Sequence, residues 1–407
     1  MIAASFLASF GPFAGIIDST SKADQATACD PFLLPGFLAQ LPSGLATYRT
    51  YDSSCNVQGY LPALLAALKS SPYHTTALPP SQLVTKEAIQ NKVSNKTVVM
   101  IGDETDHFLL QHFCTLVGQS VVAVDRYHPW GEALLKVPKE HAIKLTDHSS
   151  YISTDPGQKA LAHYCHVPDF DFLLVSTYHL GGDIGDIFQG LPAWTAPGLF
   201  EHRMEDLYIP LLNSMAQSHP SSPNLPPPRS HPWPDTVILS SSFWDLARFA
   251  TEDSTMMRSL VEDLSEHRLF SWRSRYVDML TGIQSAWKEA KVGWRSIHAP
   301  PDAEQTTLEW WTGAQTDDTK TTTDHPLFHM NRIMALNLAR KSVLYPTGDD
   351  IVKGRRNRSA RLTKGSVVDM DWGTLMIGQD HHQVDRLHPG LSPGGSLFVE
   401  MLLQQML

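Results

Sequence analysis

The chain has 407 residues, of which 42% are hydrophobic and 18% charged, a balance that allows a large buried core and excludes an intrinsically disordered protein. Its formal net charge is −10 and its one basic cluster lies at residues 353–358, so a nucleic-acid-binding function is disfavoured. The length fits one large α/β domain with elaborations.

Residues 1–95 contain many Pro, Ser and Gly residues and one helical patch at residues 61–68. We expect them to form an irregular N-terminal segment packed on a main domain of residues 96–407. Residues 2–17 are apolar but are interrupted by glycine and proline, and they are either a targeting segment or a packed arm. Membrane association is expected only through this segment, because no stretch of the chain is long and apolar enough to span a bilayer.

From residue 97 the pattern alternates between short β-branched runs and stretches with a helical spacing of apolar residues. Strands are predicted at residues 97–101, 121–124, 172–176, 236–240, 293–297 and 367–370. Helices are predicted at residues 106–117, 203–216, 256–291, 327–343 and 393–406, the last with Ser392 as N-cap and Pro393 at the first helical position. This alternation predicts an α/β fold with a parallel central sheet that is covered on both faces.

Two distant stretches carry the candidate chemistry. The predicted strand at residues 97–101 runs into Gly102-Asp103-Glu104, and a late stretch reads Asp385-Arg386-Leu387-His388. Reactive groups in a parallel sheet lie just beyond the carboxyl ends of the strands, which is where Glu104 is predicted. An aspartate three residues before a histidine is placed to hold the imidazole in one tautomer, as in a catalytic triad.

This pattern resembles the SGNH/GDSL hydrolase superfamily, and more closely its PC-esterase-like branch of fungi and plants, over roughly residues 95–407. The blocks that carry the resemblance are Ile101-Gly102-Asp103 followed by Cys114, Tyr164-Cys165-His166, Ser242-Phe243-Trp244-Asp245, Trp294-Arg295-Ser296-Ile297-His298, Asp371-Trp372-Gly373 and Asp385-Arg386-Leu387-His388. The resemblance implies a flavodoxin-like SGNH three-layer sandwich that uses no cofactor.

In that superfamily a serine nucleophile follows Gly-Asp, and the matching position here is Glu104. The resemblance also implies that Gly181 or Gly182 donates its amide to an oxyanion hole. The turn that often supplies an asparagine reads Ser241-Ser242-Phe243-Trp244-Asp245 and contains none. Two parts used for acyl transfer are therefore changed, while the residues that match the base and its carboxylate, His388 and Asp385, are present.

A carboxyl group at the head of a helix and facing His388 forms a coupled acid/base pair with the imidazole. Such a pair takes a proton from one atom of a substrate and returns it at another, which suits isomerisation, cyclisation or elimination. The leading hypothesis is a fungal enzyme of specialised metabolism that rearranges a small, largely apolar molecule. Its catalytic residues would be Glu104, His388 and Asp385, and its substrate-binding residues Asp103, Thr105, His107, His179, Gly181, Gly182, Trp244 and Asp245.

Two other functions stay open at this point. One is an esterase or O-acetyltransferase that acts on an O-acylated carbohydrate, as the resemblance implies. The other is a catalytically inactive binding protein in which Glu104 and His388 form a buried ion pair. The adjacent His381 and His382 lack the spacing of a metal site, so no metal is expected.

The four cysteines permit three pairings, and their order suggests Cys29 with Cys55 and Cys114 with Cys165. Asn95-Lys96-Thr97 and Asn357-Arg358-Ser359 are glycosylation sequons. Together these features favour the secretory pathway lumen or secretion. The alternative is a cytoplasmic protein with four reduced cysteines.

Overall fold

The structure is a computed structural model, described here for residues 29–74, 84–125, 127–131, 160–182, 199–219, 225–300, 326–346, 362 and 365–407. Its centre is a seven-stranded sheet with the strand order β4-β5-β6-β3-β7-β8-β9. The strands are β3 (Thr97–Gly102), β4 (Val122–Val124), β5 (Ala162–Val167), β6 (Phe172–Tyr178), β7 (Thr236–Ser240), β8 (Lys291–Arg295) and β9 (Val367–Met370). The predicted α/β class is confirmed, and each of the six predicted strands is present, that at residues 293–297 beginning two residues earlier.

The sheet is mostly, not wholly, parallel. Strand β3 pairs in parallel with β6 and β7, and β8 and β9 continue the parallel ladder. Counted along the chain, these five strands have the order 2-1-3-4-5, which is that of flavodoxin-like doubly wound sheets. Strands β5 and β4 extend one edge in antiparallel pairing. The block Tyr164-Cys165-His166, for which no strand was predicted, lies within β5.

The helices follow the strands, and most agree with the predicted positions. They are α1 (Tyr60–Ala67), α2 (Lys86–Val93), α3 (Glu104–Val117), α4 (Phe200–Arg203), α5 (Ile209–Met215), α6 (Ser242–Thr255), α7 (Glu266–Ala286), α8 (Met330–Leu344), α9 (Trp372–Leu375) and α10 (Ser396–Met401). A π-helical turn joins α4 to α5, and others extend α10 at both ends.

The helix predicted over residues 256–291 is confirmed only for Glu266–Ala286, because residues 256–265 are not helical. Helix α6 ends at Thr255, Met257 adopts a left-handed backbone conformation with φ of 53°, and the Ser265 side chain caps the start of α7. The apolar residues that suggested helical continuity are exposed, Met257 at 96% and Val261 at 68%. The chain therefore turns here, because these side chains have no core to pack against.

Two hydrophobic cores lie on opposite faces of the sheet. Alternate residues of β3 supply both, since Val99 and Ile101 point into one core and Val98 and Met100 into the other. The first core is closed by helices α4 to α8 and the second by α1, α2, α3 and α10. The molecule is thus a helix–sheet–helix sandwich.

The described part of the N-terminal segment is more regular than predicted. It contains an antiparallel hairpin of β1 (Gly36–Gln40) and β2 (Ala46–Thr50), as well as α1 and α2. The carboxylate of Glu400, fully buried in α10, accepts the amide of Leu61 at 3.2 Å at the start of α1. This contact ties the N-terminal segment to the last helix.

Both predicted disulfides are present. Cys29 bonds to Cys55 within the N-terminal segment, and Cys114 bonds to Cys165, which joins α3 to β5. Ser392 has the extended backbone of an N-cap residue, with φ of −123° and ψ of 126°, but its hydroxyl donates to the carbonyl of Gly44 at 3.0 Å and makes no capping bond. Within the residues described, no helix has the combination of length and hydrophobicity needed to cross a bilayer.

Candidate active site

The candidate site lies where the strand order of the sheet reverses, beyond the carboxyl ends of β3 and β7, the usual ligand position in doubly wound sheets. Strand β3 ends at Gly102, where any side chain would collide with the carboxylate of Asp106 and the carbonyl of Ser240. Asp103 then caps α3, because its Oδ1 accepts the amide of Thr105 at 3.0 Å. The sharp turn from strand to helix places Glu104 at the first helical position.

Glu104 is half-buried, and its carboxylate Oε2 accepts a hydrogen bond from Trp244 Nε1 at 3.1 Å. This contact spans the gap between the turns that follow β3 and β7. Burial raises the pKa of Glu104 to about 7, even though the hydrogen bonds from its own amide and from Trp244 work to lower it. A large fraction of Glu104 therefore carries a proton at neutral pH.

Two further carboxyl groups flank Glu104, and one guanidinium accompanies them. Asp106 Oδ1 accepts from Arg295 Nη2 at 3.0 Å and from Nε at 3.2 Å, and both side chains are 1% exposed. The guanidinium lies 4.9 Å above the Trp372 ring. Burial, followed by repulsion from Asp106, raises the pKa of Asp103 well above its usual range. Asp103 Oδ2 and Thr105 Oγ1 are buried without a hydrogen-bond partner.

His388 and Asp385 form the predicted pair. Nδ1 of His388 lies 2.8 Å from Asp385 Oδ2, while Asp385 Oδ1 accepts the amides of Leu387 and His388, each at 2.8 Å. The carboxylate thus holds the proton on Nδ1 and leaves Nε2 as the basic atom. Nε2 is buried and has no partner. Burial lowers the pKa of His388 against the raising effect of Asp385, so the ring is neutral at pH 7.

Asp385 remains ionised. Burial works to raise its pKa, but the hydrogen bonds from the His388 side chain and from the amides of His388 and Leu387 together hold it below the usual value. An ionised carboxylate on Nδ1 keeps the imidazole oriented and stabilises the imidazolium that forms when Nε2 accepts a proton.

One face of α3 connects Glu104 to His388. The ring of Phe108 stacks on the His388 imidazole, with centroids 3.9 Å apart and planes inclined by 17°. Phe108 follows Glu104 by four residues, so the two side chains are neighbours on the helix surface, with about 5–6 Å between their Cβ atoms. The imidazole therefore packs against the same helix that carries the acidic side chain, on the residue one turn further along.

Two neutral histidines hold the loop that carries His388. His298 Nε2 lies 2.6 Å from the carbonyl of Leu387, and His112 Nε2 lies 2.8 Å from that of Pro389, so each donates to the residue on one side of His388. Burial lowers the pKa of His298 to about 3 and lowers that of His112 as well. Both stay uncharged donors over the physiological pH range.

The two glycines expected at an oxyanion hole already use their amides within the protein. Gly181 donates to Ser241 Oγ at 2.7 Å, and Gly182 donates to Asp245 Oδ1 at 2.9 Å. Ser241 Oγ in turn donates to the carbonyl of His179. An oxygen of a substrate would have to displace these bonds to bind the same amides.

Asp245 also accepts hydrogen bonds from two side chains of α7, in addition to its bond with Gly182. Its Oδ2 accepts from Trp272 Nε1 and from the Tyr276 hydroxyl, both at 2.9 Å, and the side chain is fully buried. Burial raises the pKa of this carboxyl. Asp245 also lines a cavity of about 570 Å³ between α6 and α7, away from His388.

His107 lies beside a histidine that the sequence did not point to. Its ring centroid is 4.2 Å from that of His163 on β5, and the ring of Tyr178 lies about 6 Å from both. Gln111 Nε2 donates to His107 Nε2 at 2.9 Å, which places the proton of the neutral ring on Nδ1. Burial lowers the pKa of both histidines to about 4, and both Nδ1 atoms are buried without a partner.

His179 is fully buried and packs edge-on against Phe200, with centroids 5.2 Å apart. Burial holds its pKa well below the usual value, so the ring is neutral. Among the described residues, its ring nitrogens have no hydrogen-bond partner. Its backbone amide donates to the carbonyl of Gly102 at 2.6 Å, which links the ends of β6 and β3.

Sequence reasoning found Glu104, His388 and Asp385, but missed the residues that support them. Arg295 and His298 occur in a block that carried the family resemblance, without a role assigned to either. Three further residues contact the site only through the tertiary fold, namely Phe108, His112 and His163. For the first two the sequence offered one signal, which is their four-residue spacing along the predicted helix that begins just after Glu104.

Within the described ranges, no three His, Cys, Asp or Glu side chains are grouped closely enough to hold a metal ion. Neither a scan against protein-family models nor a search of curated proteins finds a match to this chain.

Proposed function

We propose that this protein is an acid/base enzyme on an SGNH-type scaffold of the fungal PC-esterase-like branch, in which Glu104 donates a proton and His388 Nε2 accepts one. The observation that carries the proposal is the arrangement on α3. A glutamate occupies the first helical position after Gly-Asp, and the basic imidazole stacks on the residue one turn further along.

The protonation states support this division of roles. At neutral pH Glu104, with a pKa of about 7, is substantially protonated, while His388 is neutral and its buried Nε2 has no hydrogen-bond partner. Both groups are thus in the reactive form together. Activity should fall above about pH 7 as Glu104 ionises, and fall at lower pH as His388 becomes protonated.

The reaction type that fits is isomerisation or cyclisation. Glu104 protonates one atom of the substrate while His388 Nε2 removes a proton from another, so the substrate gains and loses one proton. Transfer of the proton from His388 back to Glu104 then resets the pair. General acid/base catalysis of this kind typically contributes about 10²–10⁴-fold.

The lining of the site favours an uncharged, largely apolar substrate. Three carboxyl groups lie within four residues, and the single guanidinium beside them, that of Arg295, is paired with Asp106. A carboxylate or phosphate ester would find this guanidinium already paired, and its charge would raise the pKa of the carboxyl groups further, so an uncharged substrate fits better. Phe108 offers an aromatic surface, and His107 Nδ1 offers a proton to a neutral hydroxyl or carbonyl oxygen.

Ester hydrolysis or acetyl transfer on an O-acylated carbohydrate is the second candidate, because the His388–Asp385 pair retains the geometry of a serine hydrolase. Against it stand the occupied amides of Gly181 and Gly182 and the absence of a hydroxyl bonded to His388 Nε2 among the described residues. An inactive binding protein is the third candidate.

The test uses the purified protein and small-molecule extracts of the organism that encodes it, with mass spectrometry to follow compounds consumed and formed. Glu104→Gln and His388→Gln should each slow formation of a product of unchanged mass by about 10²–10⁴-fold. Glu400→Gln is the matched control and should keep the full rate. Full activity in Glu104→Gln would refute the proposed role.

Two simple reagents separate the alternatives. Turnover of p-nitrophenyl acetate together with covalent labelling by a serine-directed phosphonate would support the hydrolase. A compound retained by the protein and recovered unchanged would support the binding protein. The acid/base enzyme predicts neither result.

We further propose that the protein resides in the secretory pathway or is secreted. The support is the pair of disulfides, which persist in oxidising compartments.

A further inference from the structure

The turn between α2 and β3 contains the sequon Asn95-Lys96-Thr97, which the site does not use. Asn95 is exposed and adopts a left-handed conformation, with φ of 59°. Its backbone amide donates to the carbonyl of Phe170 at 2.9 Å, so the turn is fixed while the side chain points away from the core. An exposed asparagine in a sequon is the acceptor for N-linked glycosylation.

Asn95 lies at the opposite end of β3 from the candidate active site. Asn95 precedes the amino end of β3, whereas Asp103 and Glu104 follow its carboxyl end. Strand residues advance by about 3.3 Å each, so the two ends of this segment are on the order of 20 Å apart. A glycan on Asn95 would leave the candidate site open.

The threonine of the sequon is in a different environment. Thr97 is 2% exposed, and its amide donates to Asp235 Oδ2 at 2.8 Å as the central strand begins. Lys96 Nζ pairs with the other oxygen of Asp235 at 2.7 Å. The glycosyltransferase must contact Asn95 and Thr97 together. In the folded protein it could reach Asn95 but not the buried Thr97.

We propose that Asn95 carries an N-linked glycan, and that it is attached before β3 enters the sheet. The donor is a lipid-linked oligosaccharide diphosphate. Nδ2 of Asn95 attacks the anomeric carbon of the first sugar, the bond from that carbon to the diphosphate oxygen breaks, and the lipid diphosphate leaves. Nδ2 loses one proton to a base, so charge and atoms balance.

The first experiment expresses the full chain in a eukaryotic host that glycosylates secretory proteins, in an Asn357→Gln background that removes the second sequon. Treatment with peptide N-glycosidase should increase electrophoretic mobility and convert Asn95 to aspartate in the peptide mass spectrum. Thr97→Ser keeps the sequon and should retain the glycan. Asn95→Gln should lose it, and so should Thr97→Val, which preserves side-chain volume.

Unmodified Asn95 in the background protein, whether secreted or retained in the cytoplasm, would overturn the proposal. The second experiment tests the timing with unglycosylated protein from bacteria and solubilised microsomes that contain the transferase and its donor. Reduced, unfolded chain should be modified at Asn95, and folded, oxidised chain should not. Equal modification of both would overturn the proposed order of events.

Discussion

Two glutamates of this protein share a raised pKa of about 7 and differ in almost everything else. Glu400 is fully buried in α10 between the sheet and the N-terminal segment, and its hydrogen bonds with the amides of Leu61 and Tyr60 hold the start of α1. Glu104 is half-buried at the start of α3, and its carboxyl group accepts a hydrogen bond from the indole N–H of Trp244. It shares a helix face with Phe108, whose ring stacks on the His388 imidazole.

The comparison teaches that a perturbed carboxyl group does not by itself identify a catalytic site. Burial is the largest cause of the raised pKa in both residues. What distinguishes Glu104 is partial access to solvent, two neighbouring carboxyl groups and an oriented, unpartnered base nearby. Three substitutions test this distinction.

The largest effect is expected from Arg295→Met, which leaves Asp106 buried next to Asp103 and Glu104 without a compensating cation. Removing one partner of a buried ion pair typically costs about 3–5 kcal/mol of unfolding free energy. Urea denaturation at pH 7 measures the loss, which should shrink at acidic pH as the carboxyl groups become protonated. Adding Asp106→Asn to Arg295→Met should recover most of the lost unfolding free energy. A loss below about 1 kcal/mol in Arg295→Met alone would contradict the proposed pairing.

Glu400→Gln should stabilise the protein at and above neutral pH. The folded pKa of about 7 lies above the ordinary 4.5, so the contribution of Glu400 to stability is greatest below pH 4.5, falls as pH rises to about 7, and stays low beyond it. The full shift corresponds to at most about 3 kcal/mol, and a gain of about 1–3 kcal/mol is expected at pH 8.

Denaturation of wild type and Glu400→Gln across pH 4 to 8 checks this directly, because the variant should lack the fall between those pKa values. Identical pH profiles would mean that Glu400 is not protonated by burial. Turnover by the variant should be unchanged.

Trp244→Phe should produce the smallest effect. It removes the indole donor to Glu104 Oε2, and a single hydrogen bond of this kind is worth about 1 kcal/mol. Because that bond favours the ionised form, the pKa of Glu104 should rise, by less than about one pH unit. Carboxyl ¹³C NMR titration measures it, with Glu400 as the internal control. A fall in the pKa of Glu104 would contradict the assigned contact.

Much of the fold could be predicted because its central strands are short apolar runs that end in glycine or serine. Thr97–Gly102 and Thr236–Ser240 are entirely buried, so nearly every residue is apolar or small and the strand is easy to recognise in the sequence. Ala162–Val167 was missed because the half-buried His163 and His166 interrupt its apolar residues, one on each face of the sheet. Residues 256–265 were wrongly predicted as helix because their exposed apolar residues continue the helical spacing.

The candidate site residues could be predicted only where a short stretch of sequence contains the recognisable pattern. Asp385 and His388 are three residues apart, and Glu104 follows a recognisable strand end, so both groups were found. The partners of the loop around His388 are distant in the chain, since His298 precedes Leu387 by 89 residues and His112 precedes Pro389 by 277. Contacts of that range depend on how the sheet is wound, which one sequence does not specify.

Glu104, Phe108 and His112 lie at successive four-residue steps on α3, and they respectively carry the acid, support the imidazole ring and hold its loop. The position of His388 relative to Glu104 is therefore governed largely by contacts between its loop and a single helix. The other walls of the cleft are consequently free to change in shape without altering the contacts that place these two groups.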